Sequence, residues 1–197
     1  MKPTIMVSDE ESEKKIRDGF IYVPSIDLYV ARKRSHQKLN WSEAHEALAE
    51  ESSRMLTIPE FVKFLSYLKE DTSYDSKEVY NEITQVRIPW RAEWLDAYFE
   101  KREGSLHVLT ENKTKAEKLE ISLMKNKTPG ISLESWISNP TSQGLPRSDV
   151  AEGDLYYWHP RDGSIARFYA NSQGYSGLNC SRNQSFRSSA LGVRAAK

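Results

Sequence analysis

Apolar residues recur along the chain with two different spacings, and the change from one to the other marks its elements. Residues 1–18 show neither spacing. They are polar and charged and predict a flexible arm ahead of one domain over 19–197. From Gly19 to Ala31 the run Phe-Ile-Tyr-Val-Pro-Ser-Ile-Asp-Leu-Tyr-Val predicts two short strands broken at Pro24 and Ser25. Helical spacing begins after Asn40, where Asn40 and Glu43 make an N-cap pair and Trp41, Ala44 and Leu48 form the apolar stripe. A second helix starts more sharply: Thr57 caps, Pro59 sits in the first turn and Glu60 completes a capping box. Ile58, Phe61, Val62, Leu65 and Leu68 then keep the helical period, which makes this helix a core element. A weaker helix turns Val79, Tyr80 and Ile83 inward.

Beyond Pro89 the spacing shortens to two. Glu93–Glu100 and Ser105–Thr110 predict a hairpin turned at Arg102-Glu103-Gly104. Lys118–Met124 predicts a further strand, Pro129 and Gly130 a break, and Ser132 the cap of a short helix that Asn139-Pro140 stops. Asp154–His159 and Ser164–Ala170 predict the strongest hairpin, joined by Pro160-Arg161-Asp162-Gly163. Some twenty residues of loop composition follow, ahead of a strand-like apolar ending. Loops longer than about 12–15 residues are uncommon in compact domains unless functional or disordered. The order of elements predicts an α+β domain, with two main helices on an irregular antiparallel sheet and the final strand beside the one carrying Ala166 and Phe168.

Composition narrows the function classes. The 28 basic and 28 acidic residues cancel, so no global charge calls for nucleic acid or an anionic membrane. No apolar run reaches the length of a membrane span, and the N-terminus carries no apolar signal core. Cys180 is the sole cysteine, which excludes an intrachain disulfide framework and cysteine-based zinc sites. The four histidines make no ligand pair of metal-site spacing, so neither metal nor cofactor is expected. Arg32-Lys33-Arg34 with Lys38 reads as a solvated basic connection, and Trp90-Arg91-Ala92-Glu93-Trp94 as core packing with an Arg–Glu pair at its edge. Tyr156, Tyr157 and Trp158 alternate along a strand, so one of its faces is core and the other is free to line a site.

The stretch from Ile165 to Ala190 stands apart: half of it is Asn, Ser, Gly and Tyr, and from Gly163 to the end there is no Asp or Glu. Tyr supplies rigid amphipathic contact area, while Ser, Gly and Asn supply adaptable hydrogen bonding. That mixture predicts a binding surface. Arg182, Arg187 and Arg194 run through and just past it; they are either ligand contacts or, since a guanidinium can bond several carbonyls at once, braces of irregular backbone, and bracing is the expectation.

Two fragments resemble formylglycine-generating-enzyme-type C-type lectin domains: Arg54-Met-Leu-Thr-Ile-Pro-Glu60-Phe61 and the ending Ala190-Leu-Gly-Val-Arg194. The Gly-Gly-Ser-Trp segment and the cysteine pair of the enzyme branch are missing, so its activity is not carried over. The chain more closely resembles the variable proteins of archaeal diversity-generating retroelements. The likeness is most specific at Asp154-Leu-Tyr-Tyr-Trp, Ala166-Arg-Phe, Leu178-Asn-Cys-Ser-Arg182 and Arg187-Ser-Ser-Ala-Leu-Gly-Val-Arg-Ala-Ala. In that family a C-terminal segment of a C-type-lectin-fold protein is rewritten by adenine-directed mutagenesis, and the rewritten side chains bind ligand.

The resemblance implies no catalysis, a protein or glycan ligand and display at a surface. It places diversified positions at Tyr169, Asn171, Ser172, Gly174, Tyr175, Ser176, Asn179, Ser181, Asn183, Ser185, Phe186 and Ser188, with Tyr169, Tyr175 and Phe186 as aromatic anchors. The frame is expected to be Phe168, Leu178, Cys180, Arg182, Arg187, Ala190, Leu191 and Val193. The genetic code offers a check: randomising both adenines of an Asn codon yields Asn, Ser, Tyr, Gly and Phe but never Gln, so Gln173 and Gln184 belong with the frame. Two other readings stay open, an oxidase of the formylglycine-generating type using Cys180 and a carbohydrate-binding lectin of fixed specificity.

Overall fold

In the computed structural model the described residues are 19–85, 89–125, 128–171 and 175–197, without the side chains of residues 128 and 129. The expected arm over 1–18 lies outside them. The chain is α+β. β1 (Phe20–Val23) and β2 (Leu28–Ala31) are the two predicted strands, and they pair as a hairpin turning at Pro24 to Asp27. α1 (Trp41–Glu50) and α2 (Ile58–Glu70) both begin with the predicted capping boxes: Asn40 accepts from the Glu43 amide and Thr57 from the Glu60 amide, and each glutamate reaches back to its cap. β3 (Arg54–Met55) lies between these helices, and α3 (Tyr74–Thr84) is the weaker helix, capped by Ser73. The five apolar residues predicted along α2 are at most 3% exposed, each contributing roughly 1.5–3 kcal/mol.

The second half is mostly strand. β4 (Arg91–Arg102) and β5 (Ser105–Thr110) make the predicted hairpin, with Arg102 opposite Ser105. β6 (Lys115–Lys118) extends it, so the strand expected at 118–124 lies earlier in the chain. β7 (Thr128–Ile131) forms where Pro129 and Gly130 suggested a break. It is the last strand of its sheet, where a missing N–H costs little. α4 (Leu133–Ser138), β8 (Leu155–Trp158), β9 (Ser164–Ala170), β10 (Ser176–Arg182), β11 (Leu191–Val193) and β12 (Ala195–Ala196) complete the order.

Two corrections concern topology. β8 and β9 are not a hairpin. β10 lies between them, parallel to β8 and antiparallel to β9, with Leu178 opposite both Tyr157 and Phe168. The stretch expected to be loop therefore supplies a central strand. The final strands also miss β9: β11 runs parallel to β4, and β12 enters a small sheet of order β1-β2-β12-β3. The larger sheet has the order β6-β5-β4-β9-β10-β8-β7, with β11 beside the first half of β4.

Both faces of the larger sheet are packed. One carries Phe99, Ala166, Phe168, Leu178, Cys180 and Tyr157 against α2, α3 and α4. The other carries Ala92, Trp94, Ile165 and Tyr169 against α1, β11 and Met55. The buried indoles donate to carbonyls, Trp41 to Leu95 at 2.9 Å and Trp136 to Gly144 at 2.8 Å, so none strands a polar N–H. Among the described residues no helix is long and apolar enough to cross a membrane.

Candidate functional site

The second face of the sheet is covered by α1 only in part. Toward β8 it opens, and the strand register decides what stands there. Gly177 lies opposite Tyr156 and Tyr169, and Asn179 opposite Trp158 and Arg167. Because side chains alternate, Tyr156, Trp158, Arg167, Tyr169 and Asn179 share this face, while Leu155, Tyr157, Phe168, Leu178 and Cys180 point into the core. Gly177 has no side chain because Tyr169 occupies the space: a Cβ there would meet Tyr169 Cε1 and Oη at 2.8 Å and the Tyr156 carbonyl oxygen at 2.6 Å.

Rings are packed edge to edge across the opening. Tyr156 stacks on Trp158 at 5.3 Å, Tyr175 meets Tyr156 edge-on at 4.4 Å, and Trp158 meets Tyr169 at 5.7 Å. Within the rings sit two guanidinium groups. Arg167 is 5.6 Å from the Trp90 ring, 5.4 Å from Tyr169 and 5.3 Å from Phe186, and Arg182 lies over Phe186 at 3.6 Å. Arg167 Nε and Nη1 and Arg182 Nε are buried with no hydrogen-bond partner, and neither arginine has a carboxylate within ion-pair distance among the described residues. Burial, then repulsion from Arg182, lowers the Arg167 pKa to about 10; burial lowers that of Arg182. The result is a half-buried, positively charged aromatic shelf.

The expected diversified residues divide over this region. Tyr175 is exposed, and its amide and carbonyl close a turn with Asn171. Ser176, Asn179, Ser181, Phe186 and Ser188 are half-buried, and Asn183 and Ser185 are exposed. Asn179 Oδ1 accepts from the Ser181 amide and Asn183 Oδ1 from the Ser185 amide, both at 2.9 Å, so these asparagines shape the backbone at the end of β10 and just after it. Ser188 Oγ accepts from the Ala190 amide at 3.2 Å. Ser172, Gln173 and Gly174 lie outside the described residues. Tyr169 is 6% exposed and packs in the core, so it is no exposed anchor: its strand neighbours Gly177 and Ala92 leave room for the ring to lie inward.

The three arginines expected to brace do three different things. Arg194 is 1% exposed and bonds Glu93 at 2.9 Å, Glu82 at 2.8 Å and the carbonyls of Ala31 and Arg32. Burial opposes its charge, but Glu93 and Glu82 outweigh burial and raise its pKa. Arg187 is exposed and pairs with Glu43 of the α1 capping box rather than with backbone. Arg182 braces no backbone and stacks on Phe186. Arg194 is thus the one of the three that bonds carbonyls, and Arg34 does the same, donating to Ala92 and Ala190 at 2.8 Å, so the basic connection is not merely solvated. The Arg91–Glu93 pair is also buried, at 4% and 1% exposure, and not at an edge.

Sequence reasoning missed Arg167. The signal was there in the alternation of β9, since Arg167 shares a face with Ile165 and Tyr169. It also passed over the buried His45–Asp96 pair, with Nε2 to Oδ1 at 3.2 Å. Asp96 borders a small cleft of about 140 Å³, where the nearby Thr57 hydroxyl is engaged by Glu60. Cys180 is fully buried and burial pushes its thiol well up, the opposite of what a nucleophile needs. A larger groove of about 520 Å³ runs along Leu106, Lys118, Ile121 and His159. The shelf is the stronger candidate because it holds buried charge without internal compensation.

Comparison with known proteins adds no name: no family model matches the chain, and no curated protein or solved structure matches it significantly.

Proposed function

We propose that this is a ligand-binding variable protein of the diversity-generating retroelement type, built on a C-type-lectin-like fold and acting without catalysis. The observation that carries the proposal is the separation of surface from frame within 175–193. Asn183, Ser185 and Tyr175 are exposed and Ser176, Asn179, Ser181, Phe186 and Ser188 half-exposed, while Leu178, Cys180, Leu191 and Val193 are fully buried. Side chains of the first set can change without opening the core. Two of the longer helices flanking a large, mostly antiparallel sheet, with the chain end returning into β-structure, support the fold likeness. Tyr169 leaves the set of diversified positions and joins the frame with Gly177.

The ligand is a protein or a glycan that meets the shelf from Tyr175 to Phe186. A protein partner of ordinary interface size buries on the order of 1,600 Å² in total, with affinity concentrated in a few aromatic and arginine contacts. Surface display follows from the family likeness. Sequencing sister copies of the gene and the DNA beside them tests the proposal. Substitutions are expected at Asn171, Tyr175, Asn179, Ser181, Asn183, Ser185 and Phe186, with Leu178, Cys180 and Gly177 constant and a near-copy of the 3′ end beside a reverse transcriptase. Substitutions spread evenly over 19–197, or gathered at the buried positions, would sink it. A single unvarying C-terminus that binds one glycan would favour the fixed lectin.

A further inference from the structure

We infer that Arg167 and Arg182 form an oxyanion site on this shelf, taking the carboxylate or phosphate of a ligand whose planar or apolar body rests on Trp158 and Phe186. The inference rests on the reading of the shelf as a binding face and names the chemistry it takes; it does not need the face to be diversified.

The argument begins with cost. A buried donor left unpaired is destabilising, and more so when it is charged. Arg167 carries two such nitrogens and Arg182 one, and the two guanidinium groups repel each other. Elsewhere this chain compensates a buried arginine: Arg194 has two carboxylates and two carbonyls. Around Arg167 it offers rings instead. Trp90, Tyr169 and Phe186 each lie within 5.6 Å of the guanidinium carbon. Rings hold a cation in place by their quadrupoles but neutralise none of its charge. The chain also excludes Asp and Glu from Gly163 onward. Two positioned, partly desolvated and uncompensated cations are the conditions under which charge-assisted hydrogen bonds to an incoming anion are strongest. Arg167, Arg182, Trp158 and Phe186 are all half-buried, so part of each side chain is reachable from solvent although the unpaired nitrogens themselves are covered.

Titrating the full chain with benzoate and with phenyl phosphate, against benzyl alcohol as the neutral control, tests this through the indole N–H signals of Trp90 and Trp158 and the melting temperature. Saturable shifts and a raised melting temperature are expected for at least one anion and not for the alcohol, weakening as salt rises. The tighter anion assigns the group as carboxylate or phosphate, and parallel titrations with acetate and inorganic phosphate show whether the bare anion suffices. Arg167→Gln is expected to weaken binding by about tenfold or more. The unliganded variant should melt close to the parent, because the group removed had ring contacts but no hydrogen-bond or ion-pair partner to lose. Arg182→Gln repeats the test should the first variant not fold. The inference is overturned if neither anion binds, if benzyl alcohol binds equally well, or if both variants bind unchanged. It is also overturned if unliganded Arg167→Gln melts far below the parent, since Arg167 would then be a brace. Anion failure with variable sister copies leaves the binding reading standing without its oxyanion site; anion binding with invariant copies removes diversification and keeps the site.

Discussion

Arg194 and Arg167 bring the same charge into one sheet and meet opposite surroundings. Arg194 bridges Glu93, which is 1% exposed, and Glu82, and ties both to the carbonyls before α1. Removing one member of a buried ion pair costs about 3–5 kcal/mol, because the other charge is left without compensation. Arg194→Met should therefore lower the unfolding free energy by an amount in that range, read from urea denaturation. Arg91, 3.7 Å from Glu93, keeps the loss toward its lower end. The loss should also depend on pH. Burial raises the Glu82 pKa, but Arg194, then Arg91 and Arg34, hold it below its ordinary 4.5. A carboxylate with a depressed folded pKa contributes stability that is present above its unfolded value and lost as pH falls through the folded one. The gap between parent and variant should thus narrow as the medium is acidified below about 4.5. A gap that stays constant there would mean that Arg194 acts through its carbonyl bonds alone. From the sequence these arginines could be counted but not sorted, since a guanidinium suits a carbonyl, a carboxylate or a ring equally well, and only the fold decides which it meets.

Elements differed in how far the sequence revealed them, and the reason is where their information lies. α1 and α2 were legible because each carries its own start signal, a cap and a glutamate three residues on, followed by a helical stripe. β10 was not. It is short, its outward positions are Gly177, Asn179 and Ser181, and its apolar content reduces to Leu178 and Cys180. A strand whose neighbours come from β8 and β9 is fixed by contacts that no local window contains, so its polar face read as loop. The shelf was legible in composition but not in membership: its tyrosines and Phe186 stood out, whereas Arg167 and the inward turn of Tyr169 depended on register. Gly177 offers a direct test of that register. A Cβ would lie 2.6 Å from the Tyr156 carbonyl oxygen and 2.8 Å from the Tyr169 ring. Overpacking of this kind costs typically about 1–3 kcal/mol. Gly177→Ala should lower stability by that order, and adding Tyr169→Phe should not restore it, because the backbone contact with Tyr156 remains. An unchanged melting temperature would mean that β10 is not seated between β8 and β9.

At the scale of the whole molecule, the last seven residues, Leu191–Lys197, join parts that are otherwise far apart in the chain. β11 pairs with the first half of β4, and Ser35 bonds both ways with Val193 at 2.9 Å. β12 then sits inside the small sheet, between β2 and β3, and Lys197 and Tyr29 exchange backbone hydrogen bonds. Leu191, Val193, Arg194 and Ala196 are at most 1% exposed. The segment from Asn183 to Ala190 is therefore held at both ends, by β10 before and by β11 and β12 after, which is what allows its outward side chains to differ. This makes the chain end more costly to lose than the binding surface. Ending the chain at Ala190 strips Trp94, Trp41 and Met55 of their cover, leaves β2 and β3 without the strand between them, and deprives Glu93 of Arg194. Such a chain should lose its cooperative urea transition and the near-ultraviolet circular dichroism of its packed tryptophans. The full-length chain with Asn183, Ser185 and Ser188 all changed to Ala should keep both, since it loses only local side-chain to backbone hydrogen bonds, each contributing about 0.5–1.5 kcal/mol. If the truncated chain unfolds cooperatively and the triple variant does not, the roles of fastening and display are reversed, and the stretch after β10 holds the fold together.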